Sequence, residues 1–575
     1  MPNLRELLKP KEVYSLANCF LSRVSRSIFL IIFYILFFNI TYSQSQTKTE
    51  RTKLFSVGGS LGLNAGYYSV NGIPPRYSTW NYQLLGNVTF DILGITLPFS
   101  IVLSEQNRSY SQPFNNFGTS PRYKWITAHL GWRNLTYSPF TLNGHTFWGA
   151  GIELNPWLFR ISAMYGRFKK AVAGDTNNLL IFPPSYQRNG YAFKFGFGSS
   201  ASFVDLIVFR ASDDIHSLDT NSQKLIKPAE NLVLGITSKL RIFDNFRFEI
   251  DGSASLYTLN LNSETIDIDS ISKVPKFLSR IYNLRLSTQF STAIQSSLTF
   301  SSDFFTAKLS YKRIEPDYKS MGIYFSESDV QSYTASLSIP MLNRKVRFSG
   351  SIGYQHDNLL NNKAKTSKRI VGSAGLSFFS RIFGADISYS TYGISQSKGL
   401  FPVIDSLRYS RVNQNANLNL RLTLPKNVQV WNFSLSSFIQ KTSAEEPTSN
   451  LISSSVSYGG NFSINYSHSK SKLNVVLSAN LLTSETGGVS TSFFGPSINF
   501  SKIFNRISLN TQIGYQFSQF DKGSNGGILN GNLSSAFQID NHNEIRMDLN
   551  LLNAIQKMEK NFNELRIAIG YSYRF

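Results

Sequence analysis

Glu564-Leu-Arg-Ile-Ala-Ile-Gly-Tyr-Ser-Tyr-Arg-Phe575 is the stretch that decides the fold. Leu565, Ile567, Ile569, Tyr571, Tyr573 and Phe575 alternate with Glu564, Arg566, Ala568, Gly570, Ser572 and Arg574. Side chains along a strand point to opposite faces in turn, so this segment has one oily face and one wet face. A strand so long and regular is a liability at an open sheet edge. A closed barrel removes the problem, because its last strand pairs with its first.

The same alternation recurs upstream. In 413–424, Ala416, Leu418, Leu420, Leu422 and Leu424 oppose Asn415, Asn417, Asn419, Arg421 and Thr423. In 506–517, Ile507, Leu509, Ile513, Tyr515 and Phe517 oppose Arg506, Ser508, Asn510, Gln512 and Gln516. In 246–256, Arg247, Glu249 and Asp251 share the wet side. A soluble sandwich also alternates, so connection lengths have to discriminate.

Counted back from the C-terminus, tight and long connections take turns. Tight ones fall at Asp540–Asn541, Phe504–Asn505, Ser467–Lys470, Pro425–Asn427, Ser380–Arg381, Leu342–Arg344, Ser301–Asp303 and Phe243–Asn245. Longer ones fall at 555–562, 519–526, 484–489, 441–451, 393–407, 357–367, 314–330 and 259–280. Short turns on one rim and long loops on the other are how transmembrane barrels are built. The rhythm continues through 211–229 (long), Ser199–Ala201 (tight), 167–188 (long) and Asn155–Pro156 (tight). Between 105 and 145 it keeps phase only if Leu135–Leu142 is a short strand turning at Asn143–Gly144. That reading predicts an all-β fold: a single antiparallel up-and-down barrel of about 26 strands, or about 24 if weak segments fail, over residues 54–575.

Composition agrees. The chain of 575 residues holds 46 Phe and 28 Tyr against 16% charged residues. That vocabulary forms strands, and mean hydropathy of −0.14 excludes a bundle of apolar transmembrane helices. Net charge is +22, with +3 carried by residues 1–43. The basic residues are thinly spread, so the excess points to anionic glycolipid or anionic solutes, and no nucleic-acid partner is expected. Cys19 is the only cysteine, which leaves the rest of the chain without thiolate chemistry or disulfides.

Arg23 and Arg26 precede the eleven-residue apolar run Ile28–Phe38, and Thr41 and Ser43 stand at the two selective positions before Gln44. This predicts a cleavable signal peptide over 1–43 and a short periplasmic lead over 44–53. An uncleaved anchor would need a longer apolar run.

The signal pattern, the loop rhythm and the terminal Tyr571-Ser-Tyr-Arg-Phe575 resemble the outer-membrane β-barrel proteins of the Bacteroidota, a large porin-like group. Two denser stretches resemble recurrent features of that group. One is Leu142-Asn-Gly-His-Thr-Phe-Trp-Gly-Ala-Gly-Ile-Glu-Leu-Asn-Pro156 with Met164-Tyr-Gly-Arg167, and the other is Tyr311-Lys-Arg-Ile-Glu-Pro-Asp-Tyr318. The resemblance implies a Gram-negative outer-membrane location, and the even strand count predicts that both termini are periplasmic. The resemblance also implies lipid and glycolipid contacts, and recognition of Tyr571, Tyr573 and Phe575 by the barrel-assembly machinery. It brings no catalytic residue and no cofactor.

Chemistry-bearing patterns are sparse. Gly58-Gly-Ser-Leu-Gly62 matches a nucleophile elbow formally, but strand sequence follows where a helix is required. His129, His145, His216, His356, His468 and His542 show no local pair of the kind metal sites use. Acids at 264–269 and Asp213-Asp214 lack the glycine of a calcium loop. No catalytic or metal residue is assigned. Trp80, Trp125, Trp132, Trp148, Trp157 and Trp431 are read as interfacial aromatics, with a sugar-stacking role as the alternative. Arg210, Arg247, Arg285, Lys308, Arg347, Arg421, Arg506, Arg546 and Arg566 are read as lumen-facing, giving a basic interior that concentrates anions. Pairing with inward acids such as Glu249 and Asp251 is the alternative for each. The expectation is a passive channel for small or anionic solutes. A barrel acting as export conduit or surface anchor for a partner protein is the other reading.

Overall fold

The structure is a computed structural model that describes residues 55–104, 116–174, 184–266, 275, 278, 280–324, 327–363, 365–398, 410–445, 452–521, 524–555 and 560–575. The expected signal peptide and the whole of the lead lie outside these residues.

The strands follow one another as neighbours in a single antiparallel sheet. The first are β1 (Phe55–Asn71), β2 (Trp80–Ile92), β3 (Ile95–Ser104), β4 (Asn116–Thr119) and β5 (Arg122–Tyr123). Next come β6 (Ile126–Thr136), β7 (Asn143–Leu154), β8 (Phe159–Lys169), β9 (Arg188–Gly198) and β10 (Phe203–Asp213). A short helix, α1 (Thr220–Leu225), precedes β11 (Glu230–Phe243), β12 (Phe246–Thr258), β13 (Thr288–Ser301) and β14 (Thr306–Ile314). After them run β15 (Val330–Met341), β16 (Val346–His356), β17 (Lys365–Phe379), β18 (Phe383–Lys398) and β19 (Ser410–Lys426). The last are β20 (Gln429–Glu445), β21 (Ile452–His468), β22 (Leu473–Thr486) and β23 (Val489–Phe504). They are followed by β24 (Ile507–Phe520), β25 (Ser524–Gln538), β26 (Asn543–Ile555) and β27 (Phe562–Arg574).

The sheet closes on itself. β27 pairs with β1 from Ser60↔Arg574 to Asn71↔Asn563, and the Phe575 N–H donates to the Gly59 carbonyl at 3.0 Å. β4 and β5 occupy one place between β3 and β6, so 27 strands make 26 staves. A closed ring of 26 tilted strands about 4.8 Å apart is about 50 Å across.

The composite stave corrects the sequence reading at 105–145. Leu135–Leu142 is not a strand and Asn143–Gly144 is not its turn. β6 runs on to Thr136, Tyr137–Leu142 forms the hairpin tip, and β7 begins at Asn143. The missing stave is 116–123, which Ser120-Pro121 splits into two fragments too short to show alternation. The even count is therefore reached with a different segment.

Register separates the two faces. Leu103, Leu84, Leu63, Tyr571, Ile545, Phe537, Ile507 and Phe504 are successive cross-strand partners, an unbroken apolar line over eight strands. Across the opposite face run Asp386, Asn419, Ser436, Asn461, Asn480 and Gly495. Apolar outside and polar inside is the arrangement of a transmembrane barrel, whose backbone groups are all satisfied by closure.

Several connections are shorter than their sequence implies. β20 and β21 extend to Glu445 and Ile452, and the 484–489 connection is the two-residue turn Gly487-Gly488, with φ of +59° and +83°. Glycine takes that pair of angles without strain, and the turn matches the twist of a hairpin. The extra strand length carries polar residues on both faces, so alternation ends before the strand does.

Candidate functional site

The lumen has two unlike walls. Toward the loop rim of β7 to β11 the inner face carries a covered apolar cluster. Leu142, Phe147, Phe168, Phe209 and Val233 are wholly buried, in one cluster with Leu135, Tyr137, Ile207 and Met321. The covering comes from two segments folded inward, the β6–β7 tip and the connection from β14 to β15. Gly322 bridges Leu142, and the Asn143 N–H donates to the Gly322 carbonyl at 3.0 Å. Ser320 Oγ donates to the Thr141 carbonyl at 2.5 Å, and Tyr318 Oη to the Phe140 carbonyl at 2.7 Å. Asn231 locks the β14–β15 segment to the wall. Its Oδ1 accepts from the Met321 N–H at 3.0 Å, and its Nδ2 donates to Ser255 Oγ at 2.8 Å. Each large apolar side chain buried there contributes about 1.5–3 kcal/mol, so this is a fixed insert. Burial also pushes the Tyr318 phenol above its ordinary value, which keeps it a neutral donor.

The insert joins the two dense stretches of the sequence. Phe147 and Met164 belong to the first, and Tyr318 ends the second. Their common place, inside the barrel, was not readable from either alone.

Charge on the inner face is mostly paired near the insert. Arg160 grips Asp205 through two hydrogen bonds of 2.8 and 3.0 Å. Arg188 grips Asp213 at 2.7 and 3.1 Å, and His129 lies 3.8 Å from Glu153. At the seam, buried Glu564 accepts from Tyr68 Oη at 3.1 Å and pairs with Arg566 at 3.2 Å and Arg76 at 3.4 Å.

The nine basic residues read as lumen-facing fall into distinct places. Arg247, Lys308, Arg347 and Arg421 stand on the inner parity of their strands, opposite Phe248, Leu309, Phe348 and Leu422. Arg241, which sequence reading passed over, is the direct cross-strand partner of Arg247. These five lie near the tight-turn rim along β11 to β19, and among the described residues none has a carboxylate within 4.0 Å. Arg546 and Arg566 share the inner face but are paired with Asp548 and Glu564. Arg506 sits in the β23–β24 turn and donates to the Ile539 carbonyl at 2.8 Å.

Two placements are corrections. Arg210 lies on the outer parity of β10 with Val204, Leu206 and Val208, bound to Glu230 at 2.7 Å and covered by Tyr282. Both faces of that strand are apolar, because the inner one packs the insert, so parity was ambiguous in sequence. Arg285 is in the β12–β13 connection, where it donates to the Ser263 carbonyl at 2.7 Å. That connection packs Leu278, Tyr282 and Leu284 against Leu232 and Leu256.

Of the tryptophans, Trp125 and Trp157 occupy tight turns, and Trp431 stands near the same rim, 4.6 Å from Tyr466. Trp80 begins β2 beside Tyr67. Trp132 and Trp148 are cross-strand partners on the outer face, with Phe117 against Trp148. At the closing strand, Tyr571 donates to Asn543, and the rings of Tyr573 and Phe575 are 4.9 Å apart. Gly58–Gly62 lies within β1, not at a strand-to-helix turn. Among the described residues no group of three His, Cys, Asp or Glu is placed to hold a metal, and residues 267–269 of the acidic loop lie outside them.

No protein-family model and no curated protein matches this chain. Solved structures do. The copper transporter OprC is 8% identical with a TM-score of 0.42, covering 92% of this chain and 82% of its own. The P pilus usher (PapC) translocation pore is 10% identical with a TM-score of 0.38, covering 91% and 100%. OccAB3 of Acinetobacter baumannii is 11% identical with a TM-score of 0.29, covering 67% and 99%. Likenesses this remote carry no functional argument, and the fold rests on the chain's own closed ladder.

Proposed function

We propose that this protein is an outer-membrane channel that passes small anionic solutes, with its termini on the periplasmic side and without catalytic machinery. A closed barrel with a continuous apolar exterior belongs in a bilayer, and barrels with short turns on one rim keep that rim periplasmic. The start of β1 and the end of β27 lie at the tight-turn rim. An export signal over residues 1–43 fits the same route.

The observation that carries the anion preference is the arc of Arg241, Arg247, Lys308, Arg347 and Arg421. Uncompensated positive charge on a lumen wall raises the local concentration of anions and repels cations. The arc lies near the tight-turn rim, while the insert covers the inner face toward the loop rim, so the two are separated along the barrel axis.

Reversal potentials in a planar bilayer under a potassium chloride gradient test this reading. The purified protein is expected to conduct with chloride favoured over potassium. Replacing Arg247, Lys308 and Arg347 together by glutamate is expected to reverse the sign. A barrel that does not conduct, a cation preference, or selectivity unchanged by the triple replacement overturns it.

A further inference from the structure

The wall formed by β22 to β27 carries a site of different chemistry. Asn499, Gln512, Asn532, Asn550, Arg566 and Tyr68 are successive inward partners across six strands. Ser497, Gly514, Asn530, Leu552 and Glu564 form the adjoining row. With Asn480 and Gln516, all of these except Asn499 and Tyr68 line a recess of about 750 Å³, within the size range of small-ligand sites. Two glycines hollow it out: Gly495 and Gly514 face inward where side chains would otherwise stand.

We propose that this recess binds an uncharged, hydroxyl-rich saccharide. A sugar hydroxyl both donates and accepts, and a carboxamide offers one of each from a fixed plane. Asn532 and Asn550 are bonded to each other, as are Asn461 and Asn480. That pairing orients their remaining donors and acceptors toward the lumen. The side chains of Gln512, Gln516 and Asn530 make no hydrogen bond with any described residue and are free to meet a ligand. Leu482 and Phe493, which face each other across β22 and β23, and Leu552 add apolar surface for the C–H faces of a pyranose. The one guanidinium in the lining is already engaged, because Arg566 is held by Glu564 and lies over the rings of Tyr68 and Tyr77 at 5.5 and 4.6 Å. An anion therefore finds no vacant cation in this recess, in contrast to the arc on β11 to β19.

The test is calorimetric titration of the whole protein with maltohexaose in an amine-oxide micelle, which needs no current and carries no sugar headgroup. Binding with a Kd on the order of 1 mM or tighter is expected. Gly495→Leu fills the recess, and a Cβ there meets nothing nearer than 3.6 Å, so the barrel should fold. It is expected to weaken binding at least tenfold, with heat-modifiable gel migration confirming the fold. Asn532→Leu with Asn550→Leu removes the central amide pair and is expected to do the same. Arg247→Ala, on the other wall, is expected to leave binding unchanged. No heat at 10 mM sugar, or equal affinity in the filled variant, overturns the assignment. Failure of conductance alone does not bear on it.

Discussion

Asp329 shows how one residue ties the insert to the rest of the loop rim. It is buried, with a positive φ of 55°, at the end of the connection that enters the lumen. Its carboxylate accepts from the Asn358 and Leu359 N–H groups at 3.0 and 2.9 Å and pairs with Lys363. Burial disfavours its charge, but the Lys363 ammonium and the two N–H donors outweigh that and hold the carboxyl below its usual value. A depressed folded-state pKa contributes stability that is complete above the unfolded value, about 4 for Asp. It is lost only as pH falls through the lowered value. Hydrogen exchange of the amides of 358–363, corrected for intrinsic rates, is therefore expected to be equally slow at pH 7 and 5. Once the pH falls below the ordinary carboxylate range, the protection should collapse. Asp329→Asn should show the fast exchange already at pH 7. If the variant protects its amides like the parent, the clamp is not what orders this loop.

At the scale of elements, β27 shows what alternation can establish and where it stops. Glu564–Phe575 was legible as a closing stave because each of its faces is chemically uniform. β19 and β24 were legible for the same reason. β10 was not, because its inner face packs Ile207 and Phe209 against the insert while its outer face meets lipid and Tyr282. Where both sides of a strand are apolar, period-2 reading has no contrast, and Arg210 was assigned to the wrong face. The hairpin tip at 137–142 failed for a related reason. Its apolar residues follow a tertiary surface made by β7 to β11, which local sequence does not display. These inward amides were each readable as wet-face residues, but only register places Asn499, Gln512, Asn532 and Asn550 in one row. The closing stave also bears on assembly. Phe575 is partly exposed, edge-on to Tyr573, at the rim where first and last strands meet. Deleting Phe575 removes one backbone hydrogen bond from a long ladder, a small stability loss of about 0.5–1.5 kcal/mol. If the terminal aromatic serves as the assembly signal, the folded yield in native membranes should fall about tenfold or more while single-channel conductance of the survivors stays the same. Parental yield of the truncated protein removes that role from Phe575.

At the scale of the whole molecule, the insert and the open wall divide the labour of a very wide tube. A barrel of 26 staves left empty would be a pore too large to select among small solutes. The buried apolar clusters inside the barrel lie on β7 to β11 and on β13 to β15, and the 315–323 and 137–142 segments cover them. The insert thus narrows the lumen toward the loop rim, with the free cations nearer the other rim and the amides on β22 to β27. Selectivity and width then have separate structural origins, and they can be separated by experiment. Replacing residues 316–323 with a short Gly-Ser linker opens one wall without touching Arg247, Lys308, Arg347 or the amide rows. Single-channel conductance is expected to rise about twofold or more, and anion preference to weaken as the path widens beyond the reach of the arc, about 8 Å in physiological salt. Exposure of Phe147 and Phe209 should also make the variant less heat-stable, since the cluster loses Met321 from its cover. An unchanged conductance with a folded barrel would mean that the narrowest point lies elsewhere in the lumen, and the insert would then be a structural brace and not the element that sets the size of the pore.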